Sequence, residues 1–313
     1  MSAQVPILLM AFIRPDLIKR CMHHLSKFKP PILYIMGDGP RNIQEHRLCS
    51  ESRQIASNPS WECEVIKIYN DHNEGIVKSF CKGMSRMFSD HEFGIYLEDD
   101  IMLSESFYKF AREILITYRD DQRIGHVNST NFIPHYDKTN QGDSYFLSAY
   151  AFEWGFATWR RIWNLYDVNM LRWREVNQKK MLEEHCFNYR ERKSLKGMFD
   201  LHCDNPRPLA WGYQWLFSCL YHNALAVTPK VNMSLNVGFN RNDSTNTSGE
   251  NPVANPISSC RFPLSHPSKI CRDVAYDGAV SKLVSPSYLS VFSGKARNRI
   301  LSAFKRLRGN SSN

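Results

Sequence analysis

The hydrophobic residues in about the first 120 positions form short apolar runs that alternate with segments of helical periodicity. Short apolar runs bounded by polar residues are typical of buried strands, and apolar residues three and four positions apart form one face of a helix. The predicted strands are 5–12, 32–36, 64–68 and 93–97. The apolar faces of the predicted helices are Leu17, Ile18, Cys21, Met22, Leu25 and Phe28, then Ile76, Phe80, Met84, Met87 and Phe88, then Phe107, Phe110, Ile114 and Tyr118. This alternation predicts a parallel sheet with helices on both faces.

The regular alternation ends near residue 120. Residues 124–127 form a further candidate strand, residues 145–161 are dense in aromatic side chains, and residues 170–199 are charged with a helical pattern. From about residue 251 onward the chain is rich in proline and serine. Such a composition predicts that residues 251–313 are peripheral to the folded domain.

The acidic triplet Glu98-Asp99-Asp100 follows directly on the predicted strand 93–97. Three adjacent carboxylates repel one another unless a positive charge lies among them, and a divalent cation is the usual one. Open α/β sheets bind ligands at the carboxyl ends of their strands, where a cation commonly holds substrate phosphates. The triplet therefore predicts a metal site. The alternative is an ordinary solvated acidic segment before a helix capped by Ser104.

The net charge of +9 is concentrated at the C-terminus of the 313-residue chain. Residues 294–313 contain six basic residues and no acidic one, and removing these six charges leaves +3 for the rest. That balance argues against a nucleic-acid-binding face. Apolar residues at helical spacing make this tail either a basic amphipathic helix that contacts an anionic membrane surface or a solvated tail.

The nine cysteines are scattered without Cys-x-x-Cys pairs, which indicates reduced thiols and argues against zinc. No apolar run reaches transmembrane length, and no basic-then-apolar leader is present. These features predict a cytoplasmic protein, with the tail as the segment that would contact the inner face of the membrane.

Phosphate-binding glycine motifs are missing after the predicted strands. There is no G-x-G-x-x-G and no Walker lysine motif, and the first turn carries Arg14 instead. The phosphates of a bound nucleotide would therefore be held by a metal and by basic side chains. This disfavours dinucleotide enzymes and P-loop proteins, and it also disfavours sugar-nucleotide pyrophosphorylases, whose first strand is followed by a glycine-rich loop.

The residues at the ends of three predicted strands resemble the GT-A glycosyltransferases. Arg14 follows the first strand, Asp38 the second and the acidic triplet the fourth. The resemblance is closest to the N-acetylglucosaminyltransferase I-like branch and its bacterial relatives. The blocks that carry it are 97–101 with 106–108, 37–41, 154–161, 213–215, Pro229, Asn232 and 236–239.

The resemblance spans residues 5–247 and implies an α/β, Rossmann-like GT-A fold with a mixed, mostly parallel sheet and helices on both faces. It implies that residues 1–120 form the nucleotide-sugar-binding half and residues 121–250 the acceptor-binding half of one domain. The implied activity is a metal-dependent, inverting transfer of a sugar from a nucleoside diphosphate to a glycan or a lipid-linked glycan, as in polysaccharide biosynthesis.

The resemblance also implies roles for individual residues. Asp100 would hold Mn²⁺ or Mg²⁺, which takes up negative charge on the departing diphosphate. The residues expected at the nucleotide sugar are Arg14, Asp38, Lys78, Glu98, Asp99 and Arg241, and those on the acceptor side are Trp154, Gly155, Trp211 and Tyr213. The structural alternatives are a turn for Asp38, a solvated helix face for Lys78 and aromatic core for the tryptophans.

The catalytic base that the resemblance implies is missing. The relatives carry aspartate in a Trp-Asp-Tyr-Gln-Trp block, and this chain has Gly212 there. Glu153 and Asp204 are the carboxylates that could take its role, with Glu153 preferred. A second departure is Asn246, where the relatives tend to carry histidine. The alternative function is therefore a non-catalytic nucleotide-sugar-binding protein, and an aromatic carbohydrate-binding module would leave the acids unexplained.

Overall fold

The computed structural model describes residues 4–134, 136, 142–205, 210–241, 243, 251 and 253–284. The strands are β1 (Ile7–Ala11), β2 (Ile32–Gly37), β3 (Glu64–Tyr69), β4 (Phe93–Leu97), β5 (Ile101–Leu103), β6 (Ile124–Asn128), β7 (Tyr145–Ser148), β8 (Phe156–Trp159), β9 (Leu225–Pro229) and β10 (Ser234–Asn236). The helices are α1 (Pro15–Leu25), α2 (Glu45–Ala56), α3 (Ile76–Asp90), α4 (Glu105–Thr117), α5 (Arg160–Trp163), α6 (Leu171–Glu175), α7 (Gln178–His185), α8 (Tyr189–Asp204), α9 (Gly212–Tyr221) and α10 (Val274–Val284).

The main sheet has eight strands in the order β3-β2-β1-β4-β8-β6-β9-β7. Strands β3, β2, β1 and β4 are parallel, β8 is antiparallel to both of its neighbours, β9 is parallel to β6, and β7 is antiparallel to β9. This confirms the predicted α/β fold with a mixed, mostly parallel sheet. Because β1 lies between β2 and β4, the segments that follow these three strands meet at one edge of the sheet.

The first half of the chain folds as its apolar pattern predicts, with strand ends within two residues of the predicted ones. Pro15 begins α1, where its fixed φ suits the first helical turn. Gly75 precedes α3 with a φ of 86°, a left-handed conformation that glycine adopts without strain. These two turns place Arg14 and the loop after β3 at the edge that carries the acidic triplet.

A small second sheet returns the chain to the acidic triplet. Strand β10 pairs antiparallel with β5, so that Asn236 lies opposite Ile101. The backbone N–H of Val237 then donates to the carbonyl oxygen of Asp100 at 2.9 Å. This pairing brings residues 234–239 next to the end of β4, although they are distant in sequence.

The structure corrects the expectation that the segment after residue 251 is peripheral. Helix α10 packs on β7, and Tyr276 and Val280 are fully buried. The buried Asp277 carboxylate accepts hydrogen bonds from Ser148 Oγ and from the backbone N–H of Ala149, at 2.5 and 2.9 Å. The described residues from 253 to 284 therefore belong to the folded domain.

Two predictions concern residues that the structure does not describe. The basic tail, 294–313, and Asn246 lie outside the described residues. Within the described parts of the chain, no helix combines the length and the apolar character needed to cross a bilayer.

Candidate functional site

Arg14 supplies positive charge to the acidic triplet from within the chain. Its Nε donates to Asp99 Oδ2 at 3.0 Å, one terminal nitrogen donates to Asp99 Oδ1, and the other donates to Asp100 Oδ2 at 3.1 Å. Burial lowers the pKa of Arg14, but the charges of the two aspartates more than offset this effect, so the guanidinium stays protonated. The positive charge that the triplet required is therefore provided by a side chain.

The two carboxylate oxygens of Asp100 have different surroundings. Oδ2 accepts the bond from Arg14 and faces Gly238, where an added Cβ would lie only 2.3 Å away. Oδ1 is buried and has no hydrogen-bond partner among the residues that the structure describes. A buried carboxylate oxygen without a partner is unfavourable, so Oδ1 marks the position where a cation would be stabilised.

A metal at Asp100 would take few ligands from the protein. Across the described ranges, no group of three or more His, Cys, Asp or Glu side chains is arranged to hold a metal ion. Cations that bind phosphates commonly use one or two carboxylates, and the phosphates and water complete the coordination. The unpartnered oxygen of Asp100 fits such a cation, and the predicted Mn²⁺ or Mg²⁺ stays a prediction.

Glu98 is held by two aromatic donors. The Tyr96 hydroxyl donates to Glu98 Oε1 at 2.8 Å, and Trp211 Nε1 donates to the same oxygen at 3.1 Å. Trp211 in turn stacks on Phe80 with ring centroids 4.2 Å apart. Burial and then the charge of Asp100 raise the pKa of Glu98. Trp211, predicted on the acceptor side, thus fixes the orientation of Glu98.

Glu153 lies against Gly212, the first residue of α9. A Cβ added at Gly212 would lie 1.8 Å from Glu153 Oε1 and 2.0 Å from its Cδ. The carboxylate therefore fills the space into which a side chain at position 212 would project. The side chain is accessible to solvent, but the protein on its other sides removes enough water to raise the pKa of Glu153 to about 7.

Tyr213 lies in the electrostatic neighbourhood of this carboxylate. Burial and then the charge of Glu153 raise the pKa of Tyr213. Burial and then the charges of Glu98 and, more weakly, Glu153 raise the pKa of Tyr96. Glu98 and Glu153 therefore lie in one region, beside the N-terminus of α9.

Two buried side chains near the end of β6 fix the segment that carries Glu153. Asn128 Oδ1 accepts a hydrogen bond from the backbone N–H of Phe152 at 2.7 Å. Ser129 Oγ donates to the carbonyl oxygen of Trp154 at 2.6 Å. The residues before and after Glu153 are therefore both hydrogen-bonded to side chains at the end of β6.

His126 connects Asn128 to α9. Trp215 Nε1 donates to His126 Nδ1 at 3.0 Å, and His126 Nε2 lies 2.8 Å from Asn128 Oδ1. Burial lowers the pKa of His126 to about 3, so the ring is neutral and Nε2 carries the hydrogen that is donated to Asn128. This network fixes α9 relative to the segment that carries Glu153, and so places Gly212 beside that carboxylate.

Trp154 and Gly155, predicted on the acceptor side, have well-defined packing roles. The Trp154 ring is buried, with its centroid 5.1 Å from that of Phe132 and 5.8 Å from that of Phe239. Gly155 has a φ of 74°, and an added Cβ would lie 3.2 Å from Ser129 Oγ. Both residues shape the wall next to Glu153, and their contact with an acceptor stays a prediction.

Asp38 organises the loop that follows β3. Its two oxygens accept five hydrogen bonds of 2.8–3.0 Å, from the backbone N–H groups of Gly39, Glu74 and Gly75 and from the side-chain amides of Asn70 and Asn73. The residue is only 7% exposed. The implied contact of Asp38 with a nucleobase stays a prediction, and the observed contacts give this carboxylate a structural role.

Three further predicted residues have solvent-facing or surface ion-pair positions. Lys78 is exposed on α3. Asp204 ends α8 with its side chain 65% exposed and paired with Arg174, which leaves Glu153 as the carboxylate beside Gly212. Arg241 forms an ion pair with Asp16 of α1 at 2.8 Å. Asp16 is two positions from Arg14, which binds the acidic triplet.

Sequence reasoning missed the residues that position this site. Asn70 and Asn73 hold the Asp38 loop, and Asn128 holds the segment that carries Glu153. Asparagine is common in turns and loops, so these positions carry little signal by themselves. Gly238 lies in a block quoted for the resemblance, but only the returning strand β10 explains why a small residue stands beside Asp100.

A cavity of about 510 Å³ lies along the C-terminal half of α9. Its lining includes Asn164, Tyr166, Arg172, Phe217, Tyr221 and His222. No residue predicted for the site lines it, so this cavity is separate from the acidic triplet.

Comparison with known proteins gives only distant similarity in fold. No protein-family model matches the sequence, and no curated protein matches it significantly. Solved structures with partial similarity include a cytidylyltransferase from Leptospira borgpetersenii serovar Hardjo-bovis, with 10% identity, a TM-score of 0.31 and coverage of 51% of this chain and 62% of that one. A UDP-glucose pyrophosphorylase complexed with UDP-glucose has 8% identity, a TM-score of 0.30 and coverage of 52% and 79%. The inositol-1-phosphate CTP transferase from T. maritima has 10% identity, a TM-score of 0.34 and coverage of 73% and 86%. Similarity at this level supports no inference about activity.

Proposed function

We propose that this protein is a glycosyltransferase that moves a sugar from a nucleoside diphosphate to a hydroxyl group of a glycan or a lipid-linked glycan, with a divalent cation. The observation that supports the proposal most strongly is the contact between Glu153 and Gly212. The resemblance implied a catalytic aspartate at position 212, and the chain has glycine there. Glu153 brings a carboxylate to that same place from another part of the fold.

In the proposed reaction Glu153 accepts the proton of the attacking acceptor hydroxyl. Asp100 would hold Mn²⁺ or Mg²⁺ through its free oxygen, and this cation would take up negative charge on the departing diphosphate. Arg14 lies at the same edge and can donate to diphosphate oxygens. The neutral His126–Asn128 network keeps Glu153 in place while its charge changes.

The activity is expected to rise with pH through about 7. The protein raises the pKa of Glu153 from its ordinary value of 4.5 to about 7. A general base acts only when deprotonated, so kcat/KM should fall below this pH and level off above it. The measurement is kcat/KM between pH 5 and 9. Because Glu98 lies nearby, the midpoint belongs to the carboxylate pair, and a midpoint near 4.5 would contradict the role of Glu153.

Replacement of Asp100 by asparagine is expected to abolish any stabilisation by Mn²⁺ together with a nucleotide sugar. The substitution keeps the size of the side chain and removes the charge that the cation needs. The measurement is a thermal-shift screen of nucleotide diphosphate sugars with and without Mn²⁺. Asp71→Asn, an exposed aspartate, is the control and should behave as the parent. An unchanged metal-dependent shift in the Asp100 variant would remove the metal assignment.

The second candidate function is a nucleotide-sugar-binding protein without transfer activity. It is favoured by the ion pairs of Arg14, because the acidic triplet already has a positive partner without any metal. Assays of donor hydrolysis and transfer with Mn²⁺ separate the two functions. Binding without turnover of any donor supports the second candidate, and release of pyrophosphate from a nucleoside triphosphate would instead indicate a pyrophosphorylase.

A further inference from the structure

The guanidinium of Arg14 binds one of the two carboxylate oxygens of Asp100, the residue predicted to hold a metal. It bridges Asp99 and Asp100 with three hydrogen bonds, and its side chain is only 17% exposed. Asp100 Oδ2 accepts one of these bonds, and Oδ1 is buried without a partner among the described residues. A cation at Oδ1 would therefore lie beside the guanidinium, and it can coordinate both oxygens of Asp100 only if Arg14 releases Oδ2.

The charges at this site constrain what can bind there. Arg14 faces the carboxylates of Asp99 and Asp100, with Glu98 close by. A divalent cation bound alone at Asp100 would lie next to the guanidinium in a poorly solvated place, where the two positive charges repel each other. A diphosphate that arrives with the cation carries negative charge that attracts both. Charge repulsion in a region of low dielectric therefore opposes the metal alone and favours the metal together with the anion.

We infer that Arg14 couples the two ligands: it competes with the cation for Asp100 until a diphosphate offers the guanidinium another anionic partner. The inference rests on the proposed nucleoside-diphosphate site for its second ligand only. Arginine suits this exchange because its planar guanidinium binds carboxylate and phosphate oxygens with the same geometry. By linkage, the diphosphate should raise the affinity for the cation and the cation should raise the affinity for the diphosphate by the same factor.

Mn²⁺ alone is the first probe, and free Mn²⁺ is measured by electron paramagnetic resonance in a titration of the full chain. We expect Arg14→Met to bind Mn²⁺ at least about tenfold more tightly than the parent, within the range typical of coupling between sites. Arg14→Lys should lie between the two, because an ammonium group reaches fewer of the carboxylate oxygens. Arg86→Met removes an exposed arginine paired with Asp90 and should match the parent.

The nucleoside diphosphates UDP and GDP, each tested separately, are the second probe. In the parent they should raise the affinity for Mn²⁺ beyond the affinity of the nucleotide for Mn²⁺ in solution, and in Arg14→Met this enhancement should be lost. A substitution that merely damaged the site would weaken both ligands. Equal or weaker Mn²⁺ binding by both Arg14 variants, relative to the parent, overturns the inference.

The titration with Mn²⁺ alone and the titration with nucleotide distinguish this inference from the proposed function. Tighter Mn²⁺ binding by Arg14→Met supports competition by Arg14 even if no nucleotide binds and no sugar is transferred. Sugar transfer by a parent whose Mn²⁺ affinity is unchanged by both Arg14 substitutions supports the proposed function and rejects the coupling. If Arg14→Met cannot be isolated in folded form, the affinities of Arg14→Lys and Arg86→Met for Mn²⁺ alone decide whether Arg14 competes with the cation.

Discussion

Glu153→Gln is expected to lower kcat for sugar transfer by about 100-fold or more, the usual contribution of a general base. The amide has nearly the same shape as the carboxylate but cannot accept the proton of the acceptor hydroxyl. Donor affinity should change little, because the proposed donor site is formed by Arg14 and Asp100 and not by Glu153. The measurements are steady-state kinetics for transfer and a binding titration with the nucleotide sugar. Loss of donor binding together with turnover would contradict a role confined to proton transfer.

An exchange of residues tests whether the carboxylate has moved between two positions of the fold. Gly212→Asp alone is expected to be unfavourable, since its Cβ would lie 1.8 Å from Glu153 Oε1. In a Glu153→Ala background that space is free, and an aspartate in the first turn of α9 is favourable for the helix. We expect the double variant Glu153→Ala/Gly212→Asp to be at least about tenfold more active than Glu153→Ala, which is a part of what a general base contributes.

Two outcomes of the exchange would count against Glu153 as the base. One is a double variant that is folded, binds the donor and remains as inactive as Glu153→Ala. The other is a Gly212→Asp single variant with normal stability and full activity, because it would show that Glu153 does not occupy the position seen here. Circular dichroism and thermal unfolding establish folding for each variant.

Asp38→Ala is expected to have the largest effect on stability, with a loss of about 3–5 kcal/mol in the free energy of unfolding. The substitution leaves three backbone N–H groups and two side-chain amides without their acceptor, in a place that is 7% exposed. Urea unfolding followed by tryptophan fluorescence measures the change. Asp71→Ala, in the same loop but exposed, should stay within about 0.5 kcal/mol of the parent.

The Asp38 variant also distinguishes a structural role of this carboxylate from a role in binding a nucleobase. If the carboxylate serves only to read a nucleobase, Asp38→Ala would unfold like the parent and would lose nucleotide affinity alone. If it holds the loop 70–75, stability falls whether or not a nucleotide is present. Asp38→Asn is a useful intermediate, because its amide nitrogen would face donors instead of accepting from them and stability should again fall.

Much of the first half of the fold could be predicted from local patterns. Strands β1 to β4 and helices α1, α3 and α4 follow from apolar runs and helical periodicity, because their register is determined by burial of one face against the sheet. Parallel strands whose ends carry Arg14, Asp38 and the acidic triplet must then place those residues at one edge. Helix α10 was missed, because it is short and the segment before it is rich in proline and serine, which is typical of a loop.

The sequence by itself determined the α/β architecture and the edge of the sheet at which the acidic residues meet, since both follow from local periodicity and strand direction. Only the tertiary structure decided which charges and surfaces meet: Arg14 with Asp100, Gly238 with Asp100, and Glu153 with Gly212. The physical reason is that these contacts join residues between 59 and 138 positions apart, and side-chain packing across separate elements leaves no periodic trace in the chain.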